Sequence, residues 1–181
     1  MHDQPSYSPL EASSFFEDGR ASRAPVAGTV ARGQLHEDDH LYRGKVNGAA
    51  ATAFPFPITM AVMERGRDRY DIFCAPCHDR LGTGNGIVVQ RGLSQPASFH
   101  IERLRTIEPG YLFDVITVGY GRMNGYAAQI KPEDRWAIVA YMRALQLTQA
   151  GTLADVPPGE RGRLDAPQSA PGGQDKTGEQ H

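Results

Sequence analysis

The residues best suited to chemistry are Cys74, Cys77 and His78, within Cys74-Ala75-Pro76-Cys77-His78. This run fits C-x-x-C-H, the attachment sequence for c-type haem. Two thiols add across the two porphyrin vinyl groups, and the two intervening residues match the separation of those vinyls. The adjacent imidazole then projects under the ring, where it can ligate iron. Other chemistries need surroundings that this sequence lacks. A thioredoxin-type dithiol belongs at a strand-to-helix junction of a βαβ unit, and no strand pattern flanks the motif. Structural zinc needs about four clustered Cys or His ligands, whereas His2, His36, His40, His100 and His181 are scattered. The chain has only these two cysteines, so no disulfide framework is available. The pattern predicts one haem c, tethered by Cys74 and Cys77, with His78 on the iron.

A haem that only moves electrons is commonly closed on its other face by Met or His. Of the five methionines, Met1 is terminal, Met60 and Met63 lie in or before the first predicted helix, and Met142 sits at a core position of the last. Met123 lies in Gly119-Tyr120-Gly121-Arg122-Met123-Asn124-Gly125-Tyr126, where glycines let the backbone turn tightly and approach a ring face. Met123 is therefore the predicted sixth ligand, and His100 is the rival that would give bis-His ligation. Around them, Pro96 is a candidate carbonyl acceptor for the free ring nitrogen of His78. Arg91, Arg103 and Arg105 are candidates to pair with haem propionates, and Tyr120, Tyr126 and Trp136 are candidate pocket walls.

Helices must position these groups. One is predicted from Thr59, as N-cap, to Phe73 or Cys74. A second starts at Pro109 and stops at Gly119. A third starts at Pro132, with Glu133 and Asp134 at the positive end of its dipole, and runs through Trp136, Ile138, Val139, Tyr141, Met142 and Leu145. With no convincing strand, the fold class is all-α: three main helices around one covalent haem. Residues 1–57 lack a helical or strand period but carry many apolar anchors, and read as an extended arm that packs on partner subunits. Residues 58–150 form the folded domain, and 151–181, rich in Pro, Gly and Gln, read as a disordered tail.

Composition narrows the function. Hydrophobic residues make up 40% of 181, enough for one modest core. The net charge of −2 gives no reason to expect nucleic acid. The longest apolar stretches fall short of the ~20 residues that a spanning helix needs. The N-terminus lacks the features of a signal peptide. Because haem attachment occurs outside the bacterial cytoplasmic membrane, residue 1 is expected to lie near a processed end.

Over roughly Ile58 to Leu147 the chain resembles class I cytochromes c, with Gly66 and Tyr70 on the helix that crosses the last one, supplied by Trp136 and Tyr141. Asn124 stands after Met123 where that family usually has proline. A wider resemblance is to the monohaem cytochrome c subunit of bacterial alternative complex III. It is carried by Met1-His2-Asp3-Gln4-Pro5, Gly28-Thr29-Val30-Ala31-Arg32-Gly33, Pro96-Ala97-Ser98-Phe99-His100 and Asp134-Arg135-Trp136-Ala137-Ile138-Val139-Ala140-Tyr141. It implies an electron-transfer subunit without a catalytic site of its own, on the periplasmic side of the cytoplasmic membrane. Its implied partners are multihaem cytochrome and iron–sulfur subunits, with electrons passing to a soluble acceptor or terminal oxidase. Membrane association would come through those partners or through a lost N-terminal lipid anchor. The alternatives are a free periplasmic cytochrome, or a haem enzyme or gas sensor whose sixth ligand leaves.

Overall fold

Two long helices set the frame, and each begins where its sequence provides a start signal. The computed structural model describes residues 5–163, so the first four residues of the Met1–Pro5 run, and the predicted tail beyond 163, lie outside the described residues. Helix α1 (Asp39–Arg43) and a two-strand ribbon, β1 (Lys45–Val46) with β2 (Ala49–Ala50), precede helix α2 (Met60–Phe73). Thr59 caps α2, its hydroxyl accepting from the Val62 N–H at 3.3 Å. Short helices α3 (Ala75–His78), α4 (Ile87–Gln90) and α5 (Glu102–Thr106) lead to α6 (Pro109–Val118). A second ribbon, β3 (Gly119–Tyr120) with β4 (Met123–Asn124), and the long α7 (Pro132–Ala150) follow. Two 3-10 turns, Leu153–Asp155 and Pro158–Arg163, complete the described chain.

Helix α7 is the centre of the core. Its residues from Arg135 to Ala140 are all buried, so it is enclosed on every side near its start. Helix α2 crosses it at Gly66, where an added Cβ would sit 2.1 Å from the Ala137 carbonyl oxygen and 3.1 Å from the Tyr141 Cβ. Only a glycine allows backbones this close. Beside the crossing, Arg65 grips Asp134 in a two-pronged pair, Nε to Oδ1 and Nη2 to Oδ2, both at 2.7 Å. On the other side of α7, Trp136 is fully buried, stacks on Phe113 of α6 at 4.6 Å, and donates its indole N–H to the Leu41 carbonyl at 2.9 Å.

That last bond shows where the predicted arm changes character. From Asp38 onward it packs on its own domain: Asp38 caps α1, Ala51 is 1% exposed, and Leu41, Phe54 and Phe56 lie against the core. Gly110 fixes the junction, its N–H donating to the Ala51 carbonyl at 2.9 Å, with a Cβ there lying 2.2 Å from the Gly44 oxygen. Before Asp38 the chain is largely solvent-facing, and Tyr7, Leu10, Phe15, Val26, Val30 and Leu35 are exposed.

The three predicted long helices are present within a few residues of their expected ends. The four short helices and two ribbons are additional. Each is only two to five residues long, too short to carry a hydrophobic period, and is held by caps and tertiary contacts rather than by propensity.

Candidate cofactor site

The C-x-x-C-H run is itself a turn of helix. Cys74 ends α2, its N–H reaching the Tyr70 carbonyl at 2.8 Å, and also begins α3, its carbonyl accepting from the His78 N–H at 2.9 Å. Tyr70, fully buried in the α2–α7 interface, donates its hydroxyl to the Asp79 carbonyl at 2.7 Å and so anchors the residue that follows His78. The Asp79 carboxylate in turn accepts from the Leu81, Thr83 and Asn85 N–H groups and from the Thr83 hydroxyl. Burial works to raise its pKa, but these bonds outweigh it and hold the carboxyl below its usual range. Gly86 lets the returning loop lie against the motif, since a Cβ there would be 2.3 Å from the Pro76 oxygen.

These restraints aim Cys74, Cys77 and His78 into a cavity of about 650 Å³ with a largely apolar lining. That size suits a buried cofactor. Pro96, Met123 and Tyr126 reach the same cavity. Met123 arrives on β4, where its partner in the ribbon is Tyr120. The turn between them places Gly121 at φ 58°, the first central position, which type II′ hairpins reserve for glycine. The end of the ribbon is tied to α6 by the Tyr126 N–H on the Ile116 carbonyl, 2.8 Å. Tyr120 also lines the cavity, and so does Met142, whose sequence position suggested core packing alone.

The remaining sequence candidates lie elsewhere. Trp136 is outside the lining, committed to Phe113 and Leu41, and the exposed Arg91 does not reach it either. Arg105 is likewise absent, whereas Arg103 and Arg122 are the charged side chains in the wall. His100 turns away, its Nε2 lying 2.7 Å from the Leu81 carbonyl. Pro96 lines the cavity, but its carbonyl does not bond His78: it lies against Gly84, where a Cβ would be 2.4 Å away, and His78 Nδ1 is buried with no partner. Sequence reading missed Phe99 as a site residue. Its ring stacks on the His78 imidazole at 4.6 Å and 23°, and its backbone N–H is pinned to the Gly82 carbonyl at 2.8 Å. An aromatic next to His100, in a segment already marked by Pro96, was the available signal. Arg122 was passed over too, although it is adjacent to Met123 and bonds Ser94 at 3.1 Å.

The electrostatics discriminate between the chemistries that the motif allows. Burial pushes the Cys74 thiol up to about 12, and the nearby Cys77 adds to the rise. A reactive redox dithiol needs the opposite, a thiolate stabilised near neutrality. Burial also drives His78 down to about 4, so its imidazole stays neutral with a lone pair available for a metal. Neither cysteine is in a disulfide, and the described residues contain no group of three or more Cys, His, Asp or Glu suited to a metal ion. Two thiols free of a disulfide, that of Cys74 held protonated by burial, and a neutral imidazole facing an apolar cavity fit a covalently held haem.

Residues 61–142 match the family model described as cytochrome c oxidase, cbb3-type, subunit III. Among solved structures, the chain is similar to a protein of the Kuenenia stuttgartiensis reducing HAO-like protein complex Kustc0457/Kustc0458. The identity is 18% over 59% of this chain and 54% of that one, with a TM-score of 0.44. It is also similar to the KustC0563 c-type cytochrome, at 22% identity over 45% of this chain and 96% of that one, with a TM-score of 0.39. The chain thus spans about half the length of the first of these. No curated protein matches. The motif, the Gly66–Ala137 crossing point and the Met123 ribbon all lie inside this matched segment, and a domain of the cytochrome c family implies haem c as cofactor.

Proposed function

We propose that the chain carries one haem c and transfers single electrons as the monohaem subunit of a membrane-bound, quinol-oxidising complex of the alternative complex III type. The observation that carries the redox reading is the convergence of Cys74, Cys77 and His78 from α3, and Met123 from β4, on one apolar cavity. Haem bound there supplies an iron centre that gains and loses one electron. Cys74 and Cys77 would tether it as thioethers. His78, its ring stacked on Phe99, would offer a neutral imidazole to the iron, and Met123 would offer a thioether. Phe73, Leu112 and Ile116 exclude water from the space between, which keeps solvent reorganisation small as charge changes.

One feature supports a place in a larger assembly. Residues 5–37 hold six exposed large apolar side chains, an unusual load for a solvated segment, and fit a strap that partner subunits cover. No helix of the described residues is long and apolar enough to cross a membrane. The working site is the periplasmic side of the bacterial cytoplasmic membrane, where the haem is attached. The donors are multihaem cytochrome and iron–sulfur subunits, and the acceptor is a soluble carrier or a terminal oxidase.

Two experiments test the layers of this reading separately. A pyridine haemochrome spectrum of the isolated chain should show haem c at one per chain, lost in Cys74→Ser/Cys77→Ser. Met123→Leu should abolish the red absorption band of thioether ligation, while His100→Ala leaves it intact. Purification from native membranes should bring the chain down with other redox subunits; a chain that purifies alone is a free carrier.

A further inference from the structure

Arg135 is the one strongly buried cation of the described residues, at 5% exposure. It sits on α7 against the end of α6. Its Nη1 donates to the Thr117 hydroxyl, and its guanidinium lies 4.7 Å over the Phe113 ring. Its Nε is buried without a partner, and no carboxylate is within ion-pair distance among the described residues. Glu133, on the same helix, acts on it only through space. Burying a charge without a counterion is costly. The helix dipole of α6 offsets part of that cost, because a cation is favoured at a C-terminus. Structure alone gives little further reason for a guanidinium at this place, where a methionine would pack.

Its location supplies one. Thr117 adjoins Ile116, which lines the cavity, and Phe113 adjoins Leu112, which also lines it. Arg135 thus packs on the Phe113–Thr117 face of α6, the helix whose Leu112–Ile116 face forms part of the cavity wall, and is itself almost wholly buried. By contrast, Arg91 faces solvent, where ions screen it. We propose that Arg135 tunes the redox centre: a permanent, unpaired buried cation behind the cavity wall that favours the reduced state and raises the reduction potential. This rests on the haem reading of the cavity. Reduction adds one negative charge to the centre, and a fixed positive charge in a poorly polarisable interior attracts it.

The test is a redox titration of the haem-loaded chain against mediators of known potential, with urea unfolding run alongside. A unit charge about 12 Å away at an effective dielectric of ~20 shifts the equilibrium by about tenfold, which is ~59 mV for one electron. Arg135→Gln is expected to fall by that amount, while Arg135→Lys, which keeps the charge, stays within about threefold of the parent. Should Arg135→Gln fail to fold, Thr117→Asp decides. It leaves Arg135 in place but neutralises it with a paired carboxylate, so it should lower the potential by a similar factor and raise the urea midpoint. An unmoved potential in Thr117→Asp, or in a folded Arg135→Gln, overturns the proposal. A parent chain without a haemochrome spectrum overturns the haem reading beneath it, which separates the two failures.

Discussion

Replacing Gly66 with alanine should loosen the α2–α7 crossing and, through it, the C-x-x-C-H turn. An added Cβ would lie 2.1 Å from the Ala137 oxygen, where ordinary contact starts at 3.4 Å, so the helices must separate by about 1.3 Å. The obstacle is helix backbone and cannot swing aside as a flexible side chain would. Overpacking of a tight core costs ~1–3 kcal/mol, and a gap of this size forfeits about half the dispersion energy of the contacts beside it. With the upper end of that range, against the ~1 kcal/mol that alanine gains over glycine in a helix, the net loss is ~2 kcal/mol. For a domain of this size that is roughly 8 °C in Tm. Urea unfolding of the haem-loaded chain, followed by the emission of its only tryptophan, Trp136, measures it. Gly162→Ala is the control, because nothing lies within 4 Å of a Cβ at that position. Equal or greater stability for Gly66→Ala would mean that α2 and α7 are not in this close contact.

Two smaller effects share the same physical basis. Tyr70→Phe removes the 2.7 Å bond to the Asp79 carbonyl and leaves that oxygen only the longer 3.4 Å bond from the Gly82 N–H. It should cost ~1–2 kcal/mol in urea unfolding, without altering the haemochrome spectrum. Asp79 and Asp134 both titrate below their usual range in the folded chain, the first because its hydrogen bonds outweigh burial, the second chiefly through its Arg65 bond. A carboxyl with its folded pKa depressed stabilises fully above its unfolded value near ~3.9 and loses that contribution as pH falls through the folded value. Stability should therefore fall between about pH 5 and the folded values, and Asp79→Asn should flatten that slope; a parallel slope would contradict the assignment.

What was legible in the sequence divides along physical lines. Long helices announce themselves, because Thr59, Pro109 and Pro132 supply start signals and the apolar period runs for many turns. That Cys74, Cys77 and His78 face one cavity was legible because their spacing within one helical turn puts them together. The approach of Met123 to the same cavity was legible from its glycine-rich surroundings, although its ribbon was not, since two-residue strands carry no alternation to detect. Trp136 illustrates the opposite case. A buried indole suits a pocket wall or a core equally well, and its partner, the Leu41 carbonyl, lies far away in sequence within a segment that has no period of its own. The same distance hid the docking of residues 38–57, where Gly44, Ala51 and Gly110 interlock through backbone groups that any sequence possesses. Arg91 and Arg122 are both exposed arginines on loops, and only the ribbon's turn brings the second to the cavity.

The two sides of the cavity are held with different firmness, and this has a measurable outcome. The His78 side is fixed by Tyr70 on Asp79, by the Asp79 carboxylate on three backbone N–H groups, and by Phe99 stacked on the imidazole and pinned to Gly82. The Met123 side rests on a ribbon of two residues per strand, the Tyr126 bond to Ile116 and one exposed contact from Arg122 to Ser94. That contact links the Met123 ribbon to the loop bearing Pro96, and a hydrogen bond of this kind contributes ~0.5–1.5 kcal/mol. If Met123 leaves the iron more readily when the ribbon loosens, Ser94→Ala should speed carbon monoxide binding to the reduced protein by about twofold to tenfold, as should Arg122→Ala. Because both remove the same bond, the double variant should bind no faster than either alone. Additive effects would show that Arg122 acts by its charge and not by holding the ribbon, while unchanged rates would mean that Met123 is held by the core contacts of the ribbon itself.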